Sequence, residues 1–223
     1  MSGSEHDAPE VPVRPVRTPE TTALHHVRRA LLPRRRHLLG VSWLILDRST
    51  SMGDPGKMEA LREGAWRYFV QAVRRSHAVG AVAFGDDARI LCGAGIDAHR
   101  FRERLAGLRP FGRTRMEAGL RLTAARLRAR RGTRTALLLT DGVPDDPEAA
   151  LREAATLRGL GVRLVAVGTG DADAAFLRAL AGGAPGLVRT VPRQRLVGAL
   201  EQAGAALGPA PLPSVPRSGR GTR

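Results

Sequence analysis

The sequence predicts an α/β domain: a Rossmann-like open central sheet, mostly parallel with one antiparallel edge strand, and helices on both faces. Three observations carry that reading. Short apolar runs at 41–46, 79–84, 135–140 and 162–167 alternate with segments of helical period. The runs are nearly continuous in apolar character, which suits strands covered on both faces. Strand and helix alternating along a chain is the pattern of a parallel sheet.

The chain has 223 residues, of which 43% are hydrophobic, so it can bury a sizeable core. Aromatics are only 4%, so that core relies on Leu, Val, Ile and Ala. The pattern places one domain over residues 39–207. Residues 1–22 read as a flexible arm, with Pro9, Pro12, Pro15 and Pro19 discouraging regular structure. Residues 23–38 read as a basic lead-in with a short helix stopped by Pro33. Residues 208–223 read as a disordered, basic, Pro-rich tail.

Within the domain, the run from Val41 ends at Asp47, and Gly53-Asp54-Pro55-Gly56 then breaks the chain. Met58, Leu61, Ala65, Phe69 and Ala72 follow at spacings of three and four, which predicts a helix over 57–73. Arg89 to Cys92 follows the second strand after a sharp turn and suits an antiparallel edge. Helices are expected over 99–108 and 116–130. Asp146-Pro147-Glu148 is a helix start: a cap, a first-position proline and an acid in the first turn. Residues 174–180 and 194–207 complete the helices, and 187–190 reads as a last edge strand.

The formal net charge is +15, and Lys57 is the sole lysine among 36 basic residues. An Arg-rich balance favours acidic partners or a nucleic-acid backbone. It equally fits a solvated face and a GC-rich bacterial genome. The single cysteine, Cys92, cannot form an internal disulfide and reads as a small buried hydrophobe. There is no apolar leader and no apolar stretch of about 18 residues, so the expectation is a cytoplasmic protein without membrane contact.

Three stretches carry chemistry. Asp47-Arg48-Ser49-Thr50-Ser51 follows the first strand, Gly112-Arg113-Thr114 precedes a helix, and Thr140-Asp141-Gly142 ends the third long strand. In an open α/β sheet, loops beyond the carboxyl ends of the strands gather over one crevice. Singly, Asp47, Ser49 and Thr114 read equally as caps, and Asp141-Gly142 as a turn. Jointly they offer two carboxylates and three hydroxyls. An all-oxygen set suits a hard cation such as Mg²⁺, which takes about six oxygens at roughly 2.1 Å; Mn²⁺ or Ca²⁺ is compatible.

This three-part pattern resembles the metal-ion-dependent adhesion site of von Willebrand factor type A domains, with D-x-S-x-S at 47–51, the distant threonine at Thr114 and the second aspartate at Asp141. The resemblance is to cytoplasmic bacterial members. It implies direct coordination by Ser49, Ser51 and Thr114, with Asp47 and Asp141 acting directly or through water. Thr50 stands where glycine is frequent in the family, at a variable place in the motif. Arg48 either assists an acidic partner at the rim or points away.

The function so implied is metal-dependent protein binding, with the partner supplying an Asp or Glu to the ion. Relatives of this kind work beside MoxR-type AAA+ ATPases and in stress-response or defence systems, which points to an adaptor or sensor subunit. A nucleic-acid or ribonucleoprotein role is the alternative, favoured by charge alone, since no base-reading motif is present. Catalysis is not expected: there is no Walker loop, Gly168-Thr169-Gly170 is too short for a dinucleotide fingerprint, and His77 and His99 read as packing or surface residues.

Overall fold

Eight consecutive buried residues, Gly40–Asp47, form the central strand β1. The computed structural model describes residues 40–169, 172–184 and 186–208. The arm and lead-in expected over 1–38, and the tail beyond Gly208, lie outside the described residues, as does Gly170.

β1 is followed by α1 (Lys57–Arg74), β2 (His77–Phe84), β3 (Ala88–Cys92), α2 (Ala98–Ala106), α3 (Met116–Leu127) and β4 (Thr133–Thr140). Then come α4 (Pro147–Gly159), β5 (Arg163–Thr169), α5 (Ala174–Ala181), β6 (Val188–Val191) and α6 (Leu196–Ala205). The six strands make one sheet in the order β3-β2-β1-β4-β5-β6. All pairings are parallel except β2 with β3, so the antiparallel strand lies at an edge, as expected.

Alternation along β1 feeds two cores, because successive strand side chains point to opposite faces. Leu44 and Leu46 pack with Met58, Leu61, Phe69, Phe101 and Leu200 of α1, α2 and α6. Val41, Trp43 and Ile45 pack with Leu120, Leu127, Ala154 and Leu177 of α3, α4 and α5. Both faces of the strand are therefore dry, which is why its sequence lacks alternation. Phe69 stacks on Phe101 with centroids 4.2 Å apart. α6 lies close on α1 where Gly64 and Gly204 leave no room for a methyl group against Leu200 and Tyr68. Cys92 is a buried free thiol on β3, and burial pushes its pKa up to about 11.

Several boundaries differ from the sequence reading. β2 begins at His77, two residues early, because Gly40 opposite it has no side chain: a Cβ there would stand 2.6 Å from the His77 ring. A 3₁₀ turn, Thr50–Gly53, occupies the loop after β1. The last helix starts at Leu196, preceded by a 3₁₀ turn at Arg193–Arg195. The start of α4 is as read: Asp146 Oδ1 accepts from the Ala149 N–H at 2.9 Å, with Pro147 leading the helix. No described helix is long and apolar enough to cross a membrane.

Candidate metal centre

β1 and β4 are parallel neighbours, so their last residues, Asp47 and Thr140, emerge side by side. Asp47 is fully buried. Its Oδ1 accepts from the Ser49 N–H at 2.8 Å, and its Oδ2 accepts from Thr140 Oγ1 at 2.7 Å. Burial pushes the carboxyl from 3.8 up to about 6, against the opposing hydrogen bonds of Ser49 and Thr140; the nearby charge of Asp141 adds to the rise. A desolvated carboxylate of this kind gains from a cation.

The loop after Asp47 turns two hydroxyls toward the second strand end. Ser49 Oγ and Ser51 Oγ are 3.0 Å apart, and Ser51 Oγ donates to Asp141 Oδ1 at 2.8 Å. Asp141 follows β4, and its side chain is 1% exposed. Ser49 precedes the 3₁₀ turn but makes no side-chain capping bond there. The expected pair of carboxylates and two of the three hydroxyls are therefore gathered in one place.

The Gly112-Arg113-Thr114 loop is laced to both of the others. The Gly112 carbonyl accepts from the Thr50 N–H and from Thr50 Oγ1, each at 2.9 Å. The Thr114 N–H donates to Asp145 Oδ2 at 3.2 Å, and the Asp145 N–H donates to the Thr114 carbonyl at 3.1 Å. Thr114 is half-buried on the rim, and no hydrogen bond joins its hydroxyl to the other four expected donors. It does not cap α3, because Arg115 holds that position.

Arg48 points away from the centre. It is 7% exposed, its Nη2 lies 2.8 Å from Asp87 Oδ1, and its guanidinium stacks on Phe111 at 5.3 Å. It braces the neighbouring loops.

Lys57 is the residue that the motif did not reveal. At the first position of α1, its Nζ donates to Asp141 Oδ2 at 2.8 Å, to Asp54 Oδ2 at 2.7 Å and to the Ser51 carbonyl at 3.3 Å. Burial pulls the ammonium pKa down, but the bonds and charges of Asp141 and Asp54 outweigh this, and the net shift is upward. The available signal was its uniqueness as the one lysine of an arginine-rich chain.

No group of three or more His, Cys, Asp or Glu side chains converges as a metal cluster among the described residues. The donor set here is different: Asp47, Asp141 and hydroxyls, all oxygen. Ser51 Oγ spends its one hydrogen on Asp141 and so accepts from Ser49 Oγ, and Asp47 is a buried carboxylate without a cationic partner among its bonds. That chemistry fits a hard divalent cation. His77 lies at the other end of β2, beside Gly40, and His99 faces Glu103 on the exposed side of α2.

The comparisons agree with this architecture. Residues 43–143 match the family model of the von Willebrand factor type A domain, a span that contains all five expected donors. No curated protein matches the sequence. Among solved structures, the von Willebrand factor domain of a type V pilus tip protein from Porphyromonas gingivalis superposes with a TM-score of 0.67 at 10% identity, covering 74% of this chain and 93% of that one. A von Willebrand factor type A protein from Catenulispora acidiphila gives 0.65 at 23% identity, over 74% of this chain. The match spans only 42% of that longer protein. The manganese-loaded TRAP protein of Plasmodium vivax gives 0.63 at 24% identity, over 74% of this chain and 72% of that one. At such identities the structures speak for the fold alone, and residues 43–143 are similar in sequence to the von Willebrand factor type A domain family.

Proposed function

We propose that this domain binds a divalent cation, Mg²⁺ first among Mg²⁺, Mn²⁺ and Ca²⁺, and through it a carboxylate of a protein partner. The family whose model matches residues 43–143 is one of protein-interaction modules. The observation that carries the reading is the chain of oxygens from Ser49 Oγ through Ser51 Oγ to Asp141, beside the buried Asp47. A manganese-loaded neighbour with the same fold supports the choice of a divalent ion.

Each residue has a part. Ser49, Ser51 and Thr114 are neutral donors, so they hold an ion without cancelling its charge. Asp47 and Asp141 balance that charge from below the rim. The ion, when bound, supplies a Lewis-acidic position that a partner's Asp or Glu can fill. Phe111 and Val143 are 58% and 51% exposed on the loops that carry Thr114 and Asp141. They offer apolar contact beside the ionic one.

The same reading places the chain in a multi-protein system in the cytoplasm, as an adaptor or sensor subunit beside a MoxR-type AAA+ ATPase or in a stress-response or defence assembly. A nucleic-acid role is favoured by one observation, the exposed Arg126, Arg128, Arg130 and Arg131 at and beyond the end of α3. That patch lies on a helix end away from the carboxylates, so the two readings separate by mutation.

The test is capture from nuclease-treated host lysate by wild type in Mg²⁺, wild type in EDTA, and Asp47→Ala in Mg²⁺. A partner retained only in the first arm supports the proposal. Equal retention in all three contradicts it.

A further inference from the structure

We infer that Lys57 is an internal cation of the metal centre, so that its ammonium and a divalent ion are alternative partners of Asp141. The inference rests on the proposed metal reading and deepens it by assigning a device that sets ion affinity. The reason is geometric. An ammonium has three donor hydrogens, and Lys57 has three acceptors within reach: Asp141 Oδ2, Asp54 Oδ2 and the Ser51 carbonyl. The Ser51 side chain meanwhile donates to Asp141 Oδ1 at 2.8 Å. Both oxygens of Asp141 are thus engaged, one by the cation and one by a hydroxyl that the ion would need.

The charges point the same way. Asp47 and Asp141 bring two negative charges to a desolvated site, and Lys57 cancels one of them. Where water is excluded, unit charges a few ångströms apart act strongly on each other. A divalent ion seated on Ser49 and Ser51 is repelled by an ammonium on the adjacent carboxylate. It binds best when that ammonium steps aside.

Lys57 also has somewhere to go. Asp54 is already 2.7 Å from Nζ and its side chain is 64% exposed, so it holds the ammonium at the rim. On the other side, Lys57, Thr169, Thr190 and Arg193 line an open groove. Departure from Asp141 therefore breaks one bond of three without burying a charge unpaired. Arginine is the basic residue everywhere else in this chain. Lysine's compact, flexible head suits a charge that moves, where a guanidinium fork would lock onto the carboxylate.

The test is calorimetric titration of Mn²⁺ into wild type, K57Q and K57R. K57Q is expected to bind roughly tenfold tighter or better, and K57R no tighter than wild type, because the repelling charge is lost only in the first. Metal-free K57Q is expected to melt lower than wild type and to gain more on adding Mn²⁺. The wild-type chain offers an independent readout. With ¹³Cε-lysine labelling it gives one resonance, which is expected to shift along the Mg²⁺ binding curve; if K57Q does not fold, this resonance decides. Equal Mn²⁺ affinity in wild type and K57Q, or a lysine resonance that stays still while Mg²⁺ binds, overturns the inference and leaves the metal reading standing. Absence of ion binding by both wild type and folded K57Q overturns both.

Discussion

Thr140 Oγ1 donates to Asp47 Oδ2 at 2.7 Å, joining the last residues of two adjacent parallel strands. Leu46 lies opposite Leu139 one step earlier, so the bond continues the register of the sheet into the centre. The carboxylate is held by the frame as well as by its own loop. Thr140→Val keeps the shape and removes the donor, leaving Asp47 Oδ2 buried and unpaired. The expected cost is about 1–3 kcal/mol in urea unfolding of the metal-free protein. Unchanged stability would mean that the bond contributes nothing to the frame.

Asp47 makes stability depend on pH with a definite sign. Its folded pKa, about 6, lies above the ordinary 3.8, so the folded protein holds this proton more tightly than the unfolded chain does. The resulting advantage is complete below pH 4 and is lost as pH rises through 6. A shift of this size is worth on the order of 3 kcal/mol. Asp47→Asn has no such proton to lose. Metal-free stability of D47N minus wild type is therefore expected to grow between pH 4 and pH 7 and then level off. A flat difference would contradict the assignment.

The Gly112 position is closed to larger residues. Its φ is +83°, and a Cβ would stand 2.6 Å from the Asp86 carboxyl carbon. The left-handed backbone alone costs a side chain roughly 1–2 kcal/mol. Gly112→Ala is expected to lose at least that in thermal unfolding and to weaken ion binding, because the Gly112 carbonyl anchors Thr50 and Thr114 stands only two positions on.

Phe111 and Val143 separate ion binding from partner binding. Both side chains are more than half exposed. F111A with V143S is expected to leave Mn²⁺ affinity within about twofold of wild type, since Arg48 keeps its ion pair with Asp87 when the Phe111 ring beneath it is lost. Capture of the metal-dependent partner is expected to fall sharply in the same variant. Undiminished capture would remove these two residues from the interface.

The frame was legible because burial speaks through composition. β1 reads as a strand because all eight of its residues are buried. α4 reads to the residue because Asp146 and Pro147 act locally. The first and third stretches were legible as a pair because parallel neighbouring strands must end together. What escaped the sequence is what depends on distant partners. Asp141 stands 84 positions from Lys57, and nothing local in a helix start announces an ion pair with it. The early start of β2 likewise depends on Gly40 making room for His77. Arg48 sits inside the motif, yet Asp87 and Phe111 draw it away. The 3₁₀ turn at Thr50–Gly53 is too short for periodicity to register.

The most direct measurement is anomalous diffraction at the manganese edge from crystals of the wild-type chain grown with Mn²⁺. One strong peak is expected at first-coordination distance from Ser49 Oγ, Ser51 Oγ and Thr114 Oγ1, with Asp47 and Asp141 beside it or one water away. A fully ordered site with no peak, or manganese only on exposed carboxylates such as Asp54 or Asp145, would contradict it.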